Sequence, residues 1–416
     1  MSSLCGKAAG IDVHKRMLVV VVLDSTDPEQ DVAVKRFGAT HSQLAELSAF
    51  LRAHRVAEVA MESTAQYWRP VWMALEGEFA LTLAQARSTR APRGRKWDEA
   101  DARRIARRLL ADDLTVSYVP GPEQRDWRLL ARTRIAMSGM LVEIRNQMEQ
   151  VLEQAQIKLT SVVSDVLGVS GRRMLRAIID GERDVERLAA LAHRTLRASR
   201  EELADALNGA PTAAQCLVLK LYLDQIETLE RDMAVLEQEL AQAQSSHAGA
   251  IARLCAMPGF SACAAQQVIA EVGPRAEAFA SAAKLASWIG VCPGQQESAG
   301  VVTSARSAKG NRTLRRLFAQ IAWAAIASKG SEAARRYRRW LPSKGAAKAA
   351  WAVAHYMVRV TWKILHDAVD YVPPDASALD RRAVMRRANR VAADLRRLGF
   401  TITITPLSIG AEVAAG

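Results

Sequence analysis

No uninterrupted apolar run in this chain exceeds the seven residues of Met17–Leu23. That is strand length, well short of the ~18–20 residues that cross a bilayer, so no membrane partner is expected and the cores must be built from short elements in layers. Around that run the first 120 residues alternate between two periodicities. Ala8–Asp12 and Met17–Asp24 read as strands joined by a tight turn at Val13–Arg16, and Val32–Phe37 as a third. His41–His54 has helical period, with Leu44, Leu47, Phe50 and Leu51 on one side. Val56–Met61 is a β-rich run, Gln66–Leu75 a helix, Phe79–Ala84 a strand, Asp98–Ala111 a helix and Leu114–Val119 a last strand. Strands interleaved with helices predict an α/β layer fold around a mixed sheet.

After Pro122 the pattern turns helical. Trp127–Leu159 reads as one long helix and Ala213–Ala243 as another, the latter with Leu217, Leu221, Ile226, Leu229, Met233, Leu236 and Leu240 at spacings of mostly three and four. This suits a helical hairpin or coiled coil, either an intramolecular bundle or a dimerisation arm. Leu254–Gly273 reads as a helix-hairpin-helix turning at Pro258–Gly259, a geometry that can offer backbone N–H groups to a phosphate. Gly290–Gly310 reads as a Gly-, Ser- and Gln-rich loop, Thr313–Ser328 and Ala346–His366 as helices, Leu379–Leu398 as a basic helix and Thr401–Ile404 as strand-like.

With 416 residues, two or three domains are expected. We divide the chain into an α/β domain (1–125), a helical or coiled-coil region (126–248), a mainly helical C-terminal domain (249–374) and a basic extension (375–416). Met1–Ala9 lacks a signal-peptide pattern, and the five cysteines form no C-x-x-C pair. Both point to reduced thiols in a cytoplasmic protein without zinc. The net charge of +13 is unevenly placed: residues 301–416 carry 21 Lys/Arg against 7 Asp/Glu, which leaves the rest at −1. A basic third on a neutral chain suits a surface for phosphates, although solvated basic helices would give the same count.

Four carboxylates stand out in the α/β segment. Asp12 follows Gly10 at the end of the first strand, an arrangement that suits a ribonuclease-H-like layout, and Glu62 ends a later β-run. Neighbouring strand ends can bring these two together. Asp98 and Asp101, three apart at a helix start, can face one way. Clustered carboxylates repel, and Mg²⁺ relieves that repulsion through hard oxygen ligands. Two such ions assist phosphoryl transfer. Each residue also has an ordinary reading: Asp98 as a helix N-cap, Asp101 as a partner of Arg104, Glu62 as an N-cap neighbour and Asp12 as a turn residue. Glu99 is a rival on the helix, and His14 reads as a turn residue rather than a metal ligand.

The motifs G-I-D-V-H-K (Gly10–Lys15), M-E-S-T (Met61–Thr64) and K-W-D-E-A-D-A (Lys96–Ala102) resemble the DEDD transposases of the bacterial insertion-sequence-110 family. That family includes the pilin-gene invertases and the bridge-RNA-guided recombinases. M-P-G-F (Met257–Phe260), W-I-G-V-C-P-G-Q-Q-E-S-A-G (Trp288–Gly300) and K-G-N-R-T-L-R-R (Lys309–Arg316) resemble its C-terminal transposase domain, so the likeness runs over roughly residues 8–370.

The resemblance implies a RuvC-like domain, a coiled-coil insertion and a transposase domain. It implies that Asp12, Glu62, Asp98 and Asp101 bind Mg²⁺, two ions per site, and that Ser298 is the nucleophile attacking a DNA phosphate. Ser304 and Ser307 stand close enough to be rivals. It further implies composite active sites in a homo-oligomer (a dimer or a dimer of dimers), donor and target DNA as substrates, and a non-coding bridge RNA that selects them. The family often has a small residue where Trp97 stands, and two Ser followed by two Gly where this chain has Ser298, Ala299 and Gly300. Lys309, Arg312, Arg315 and Arg316 follow as expected phosphate contacts. Two other functions compete with the recombinase: a Mg-dependent junction-resolving or RNase-H-like nuclease without a covalent step, and a non-catalytic nucleic-acid scaffold.

Overall fold

The computed structural model describes residues 6–63, 65–85, 97–194, 196–294, 296–298, 301–304 and 307–373, with scattered positions between 385 and 403. It forms two compact units, Met1–Gly121 and Pro122–Gly416.

The first unit runs β1 (Lys7–Val13), β2 (Met17–Asp24), β3 (Asp27–Gly38), α1 (His41–Ala53), β4 (Val56–Glu62), α2 (Trp68–Leu75), β5 (Ala80–Ala84) and α3 (Asp98–Leu110). The sheet order is β3-β2-β1-β4-β5. β1 to β3 are antiparallel neighbours, and β4 and β5 run parallel to β1 and to each other. This is the expected ribonuclease-H-like, RuvC-like arrangement. Helices on both faces explain why Leu18–Leu23 can be apolar at every position, since each residue of that stretch is fully buried.

Strand alternation sorts the two faces. Ile11, Val13, Val20, Val59 and Met61 pack with Leu44, Leu47 and Leu51 of α1 and Val71 and Leu75 of α2. On the other face, Val19, Val21, Leu23, Ala8 and Ala60 meet Ala102, Ile105, Ala106 and Leu109 of α3. Leu114–Val119, expected as a strand, forms only an isolated bridge between Val116 and Ala84. Val116 is exposed, and Pro120 cannot extend a ladder.

The second unit begins with α4 (Pro122–Gln154), where Pro122 fits a first helical turn that needs no N–H there. Then come α5 (Leu159–Val162), α6 (Val169–Ile179), α7 (Val185–Ala190), α8 (Arg200–Leu207) and α9 (Ala213–Ala243), the last started by a Thr212–Gln215 capping box. α4 and α9 lie antiparallel: Trp127 and Ala131 share a core with Leu240, Arg134 Nε donates to Glu237 Oε1 at 2.6 Å, and Met148 and Leu152 pack with Leu219 and Leu223. Helices α5 to α8 close over the end formed by Gln154 and Ala213 and complete that second core.

A third core gathers α10 (Ala248–Cys255), α11 (Ala262–Val272), α12 (Ala282–Ile289), α13 (Arg312–Ala327), α14 (Glu332–Lys344) and α15 (Ala346–His366). Between α12 and α13 the expected loop Gly290–Gly310 contains a hairpin of β6 (Gln296–Ser298) and β7 (Val301–Ser304). The β-branched run Val301–Thr303 supplies that strand despite the Gly- and Ser-rich surroundings. Gly259 (φ +89°) lies against α13, and a Cβ there would come within 2.5 Å of Ile321 O. Packing therefore accounts for the glycine in the α10–α11 turn. Of the basic helix Leu379–Leu398, the described positions from 385 to 397 are helical; the rest of it and most of Thr401–Ile404 lie outside the described residues. Among the described residues no helix is long and apolar enough to cross a membrane.

Candidate active site

Gly10 sets the geometry of the first unit's carboxylates. It sits mid-β1 on the face covered by α3, where a Cβ would lie 2.1 Å from Ala102 O and 2.5 Å from Ala106 N. Only glycine admits so close an approach of helix to strand. The helix thereby brings its first turn to the carboxyl end of β1. Asp12, two residues on from Gly10, shares that face.

Ile11 pairs with Met61, so Asp12 and Glu62 follow one residue later at the ends of adjacent parallel strands. Glu62 shares a face with Ala60, again the α3 side. Asp98 and Asp101 open α3 ahead of its buried stripe Ala102, Ile105 and Ala106. Negative charge at a helix N-terminus is favoured by the backbone dipole, which offsets part of the cost of crowding these groups.

The turn after β1 places His14 between two of them. Its Nε2 lies 3.1 Å from Asp12 Oδ2 and 3.5 Å from Asp98 Oδ1. Ligand atoms of Asp12, His14 and Asp98 all fall within 4.8 Å of one another, a group able to hold a metal ion. Glu62 and Asp101 stand outside that group. Burial raises the Asp12 pKa above the usual carboxylate value; His14 opposes this, while the charges of Asp101 and Asp98 add to it. A site in which Asp12 resists ionisation is one that a divalent cation would relieve.

The ordinary readings divide. Asp98 is not the N-cap of α3, which is Trp97. Asp101 does pair with Arg104. Glu99 is drawn away to Arg36 of β3, at 3.0 Å. His14 occupies the turn, as its sequence position suggests, and also reaches both carboxylates, which the turn reading does not provide for. Its spacing of two from Asp12 is the only signal in the sequence.

Ser298 belongs to the second unit. It ends β6 and pairs with Val301, next to the hairpin connection, and Ser304 lies at the far end of β7 opposite Gln296. Arg315 is engaged within its own unit. It donates to Ala308 O and to Ser307 Oγ (2.9 Å) and lies 4.8 Å from the centre of the Trp351 ring. It thus pins the strand-to-helix connection, whereas Lys309, Arg312 and Arg316 are exposed. The start of α13 is anchored by Asn311, whose Oδ1 accepts from Leu314 N and whose Nδ2 donates to the buried Glu271 at 3.0 Å. Glu271 also receives both Nε (2.6 Å) and Nη2 (2.9 Å) of Arg132 from α4.

No curated protein sequence matches this chain. The solved structure of T. thermophilus RuvC in complex with a Holliday junction substrate matches 27% of this chain and 99% of its own, at 13% identity and a TM-score of 0.21. Residues 9–157 match the DEDD transposase model of IS110, and residues 251–338 match the transposase family IS116/IS110/IS902. The two stretches take in both units and more than half of the residues, and the chain belongs to the IS110-type DEDD transposases, which are DNA-cleaving enzymes.

Proposed function

We propose that this transposase cuts and rejoins DNA through a covalent protein–DNA intermediate, using Asp12, Glu62, Asp98 and Asp101 to hold Mg²⁺ and Ser298 as the nucleophile. The observation that carries the metal half is the grouping of Asp12, His14 and Asp98 within 4.8 Å at the carboxyl end of β1. Bound there, a divalent cation supplies positive charge beside the phosphate, which favours both an ionised nucleophile and the departing oxygen.

The chain's own residues do the rest. The carboxylates fix the place of the charge, and His14 lies between Asp12 and Asp98 within reach of both. The bond formed joins Ser298 Oγ to phosphorus, and the bond broken is one P–O ester of the DNA backbone. The serine proton ends on the released deoxyribose hydroxyl. One phosphoester replaces another, so the reverse attack reseals a strand without an external energy source. Exposed Lys309, Arg312 and Arg316 serve as backbone contacts that position DNA.

Support for Ser298 comes from the resemblance of its E-S-A-G setting and from its place beside the hairpin connection. Support for a guiding bridge RNA and for sites shared between protomers comes from the resemblance alone. Ser298→Ala should abolish denaturant-resistant protein–DNA adducts while DNA binding persists. A normal adduct yield would remove Ser298 from the mechanism and turn attention to Ser304 and Ser307. Asp12→Asn should lose Mg²⁺-dependent cleavage. Mixing the two inactive variants should restore strand joining if the site is shared between protomers; no recovery would place both halves in one protomer. Co-purified RNA of one defined sequence supports guidance, and its absence from an active preparation refutes it.

A further inference from the structure

The second unit has a trough of about 1640 Å³ between α14 and α15, reaching Pro293 and Ser307 at the base of the β6–β7 hairpin. Ordinary small-molecule pockets occupy ~300–1,000 Å³, so this one suits a strand rather than a metabolite. Its walls are largely apolar and carry five aromatic rings: Trp340, Trp351, Tyr356, Trp362 and Tyr371. Six cations line it, Arg315, Arg336, Lys344, Lys348, Arg359 and Lys363, against the carboxylate Asp370; of these, Arg336 pairs with the buried Glu332 and Lys363 with Asp367.

The arrangement follows from helical spacing. Along α15, Lys348, Trp351, His355, Arg359 and Lys363 recur every three or four residues, forming one stripe in which the rings of Trp351 and His355 are flanked by Lys348 on one side and by Arg359 and Lys363 on the other. At 1.5 Å per residue the stripe extends about 22 Å. Some cations already lie against rings: the Arg336 guanidinium is 4.1 Å from the centre of Tyr356 and Arg315 is 4.8 Å from that of Trp351. Lys344, Lys348 and Arg359 are exposed.

An apolar floor of rings beneath a cationic edge is poorly matched to duplex DNA, which hides its bases. It is the chemistry that grips unpaired nucleotides, by stacking bases on rings and pairing phosphates with cations. We propose that this trough binds a single strand of DNA, holding unpaired bases next to the hairpin that carries Ser298. The inference rests on the DNA-joining reading above for its choice of DNA, and an opened strand beside the hairpin is what strand exchange would present.

The test uses the full-length protein and fluorescence anisotropy with three probes of equal length: oligo(dT), an abasic deoxyribose-phosphate strand and a duplex. Oligo(dT) should bind roughly 5- to 150-fold more tightly than the abasic strand, the range of one base-stacking contact. Trp340→Leu and Trp351→Leu should erase that preference while leaving abasic-strand and duplex binding within about twofold. Lys344→Glu with Lys348→Glu, both at exposed positions, should weaken both single strands and flatten the salt dependence, which guards against a misfolded tryptophan variant. Equal binding of oligo(dT) and the abasic strand overturns the proposal, as does an unchanged preference in the tryptophan variants. An oligo(U) RNA that binds tenfold more tightly than oligo(dT) overturns the choice of DNA. Mg²⁺-dependent cleavage and adduct formation are scored separately, so loss of the joining mechanism and loss of the trough give different results.

Discussion

Replacing Gly10 with alanine tests how the carboxylates are assembled. The added Cβ would lie 2.1 Å from Ala102 O and 2.5 Å from Ala106 N, whereas ordinary contact begins near 3.4 Å. β1 cannot retreat easily, because it is hydrogen-bonded to β2 on one side and β4 on the other. The helix must therefore give way, by about 1.3 Å at the tightest contact. Overpacking of this kind costs ~1–3 kcal/mol. The same shift moves Asp98 and Asp101 away from Asp12, and ~1 Å of misplacement at a reacting centre can cost ~10²-fold in rate. Gly10→Ala should thus fold with a lowered unfolding midpoint, bind Mn²⁺ more weakly and nick DNA about a hundredfold more slowly. Circular dichroism melts, Mn²⁺ electron paramagnetic resonance and a plasmid-nicking time course read these three quantities. A variant with wild-type stability, Mn²⁺ affinity and nicking would refute the claim that glycine sets the helix-to-strand distance.

Gly139, inside α4 with nothing within 4 Å of where a methyl would stand, is the control: Gly139→Ala should stabilise the second unit by up to ~1 kcal/mol in a chemical melt. Asp12 has a folded-state pKa above its ordinary value, so its contribution to stability is present at acid pH and is lost as pH rises through the raised value. Asp12→Asn should accordingly melt higher than wild type in metal-free buffer at neutral pH, with the gap closing toward the acid range. Added Mg²⁺ should stabilise only the wild type, and an unchanged gap across pH would contradict the burial and repulsion described. Glu271→Ala removes a buried acceptor that holds the half-exposed Arg132 and the half-buried Asn311 and should cost ~1–3 kcal/mol; a wild-type urea midpoint would show that this ion pair is dispensable.

Much of the first unit is legible because its residues obey one periodicity at a time. Met17–Asp24 is a strand in sequence and structure alike, and His41, Val56 and Asp98 open elements where their patterns begin. Leu114–Val119 has strand composition but lacks a partner beyond a single bridge, a tertiary fact that no local pattern encodes. The β6–β7 hairpin is hidden by its Gly- and Ser-rich surroundings. Within the site, carboxylates are visible as residue types at element ends. Which neighbours they meet is legible only in part: Asp101 meets Arg104, as a spacing of three allows, whereas Glu99 goes to the distant Arg36, a partner chosen by tertiary packing. His14 reads in the sequence as a turn residue and not a ligand, because a turn residue is usually only that; its reach to Asp12 and Asp98 is a tertiary fact. Arg315 looks like one more cation in a basic run until its bonds to residues 307 and 308 are seen.

The antiparallel pair of α4 and α9 has a consequence for how such chains diversify. The segment from α5 to α8 leaves α4 and returns to α9 at nearly the same place, where Lys158 N donates to Ala206 O at 2.8 Å. Its core is sealed around residues such as Met174, Leu175 and Leu203, apart from the one that holds α10 to α15. A segment whose two ends meet can be exchanged as a cassette. Insertions, deletions or foreign modules at this tip would lengthen or retool the chain while the paired helices behind it, and the ion pair of Arg132 with Glu271 at their base, keep their registration.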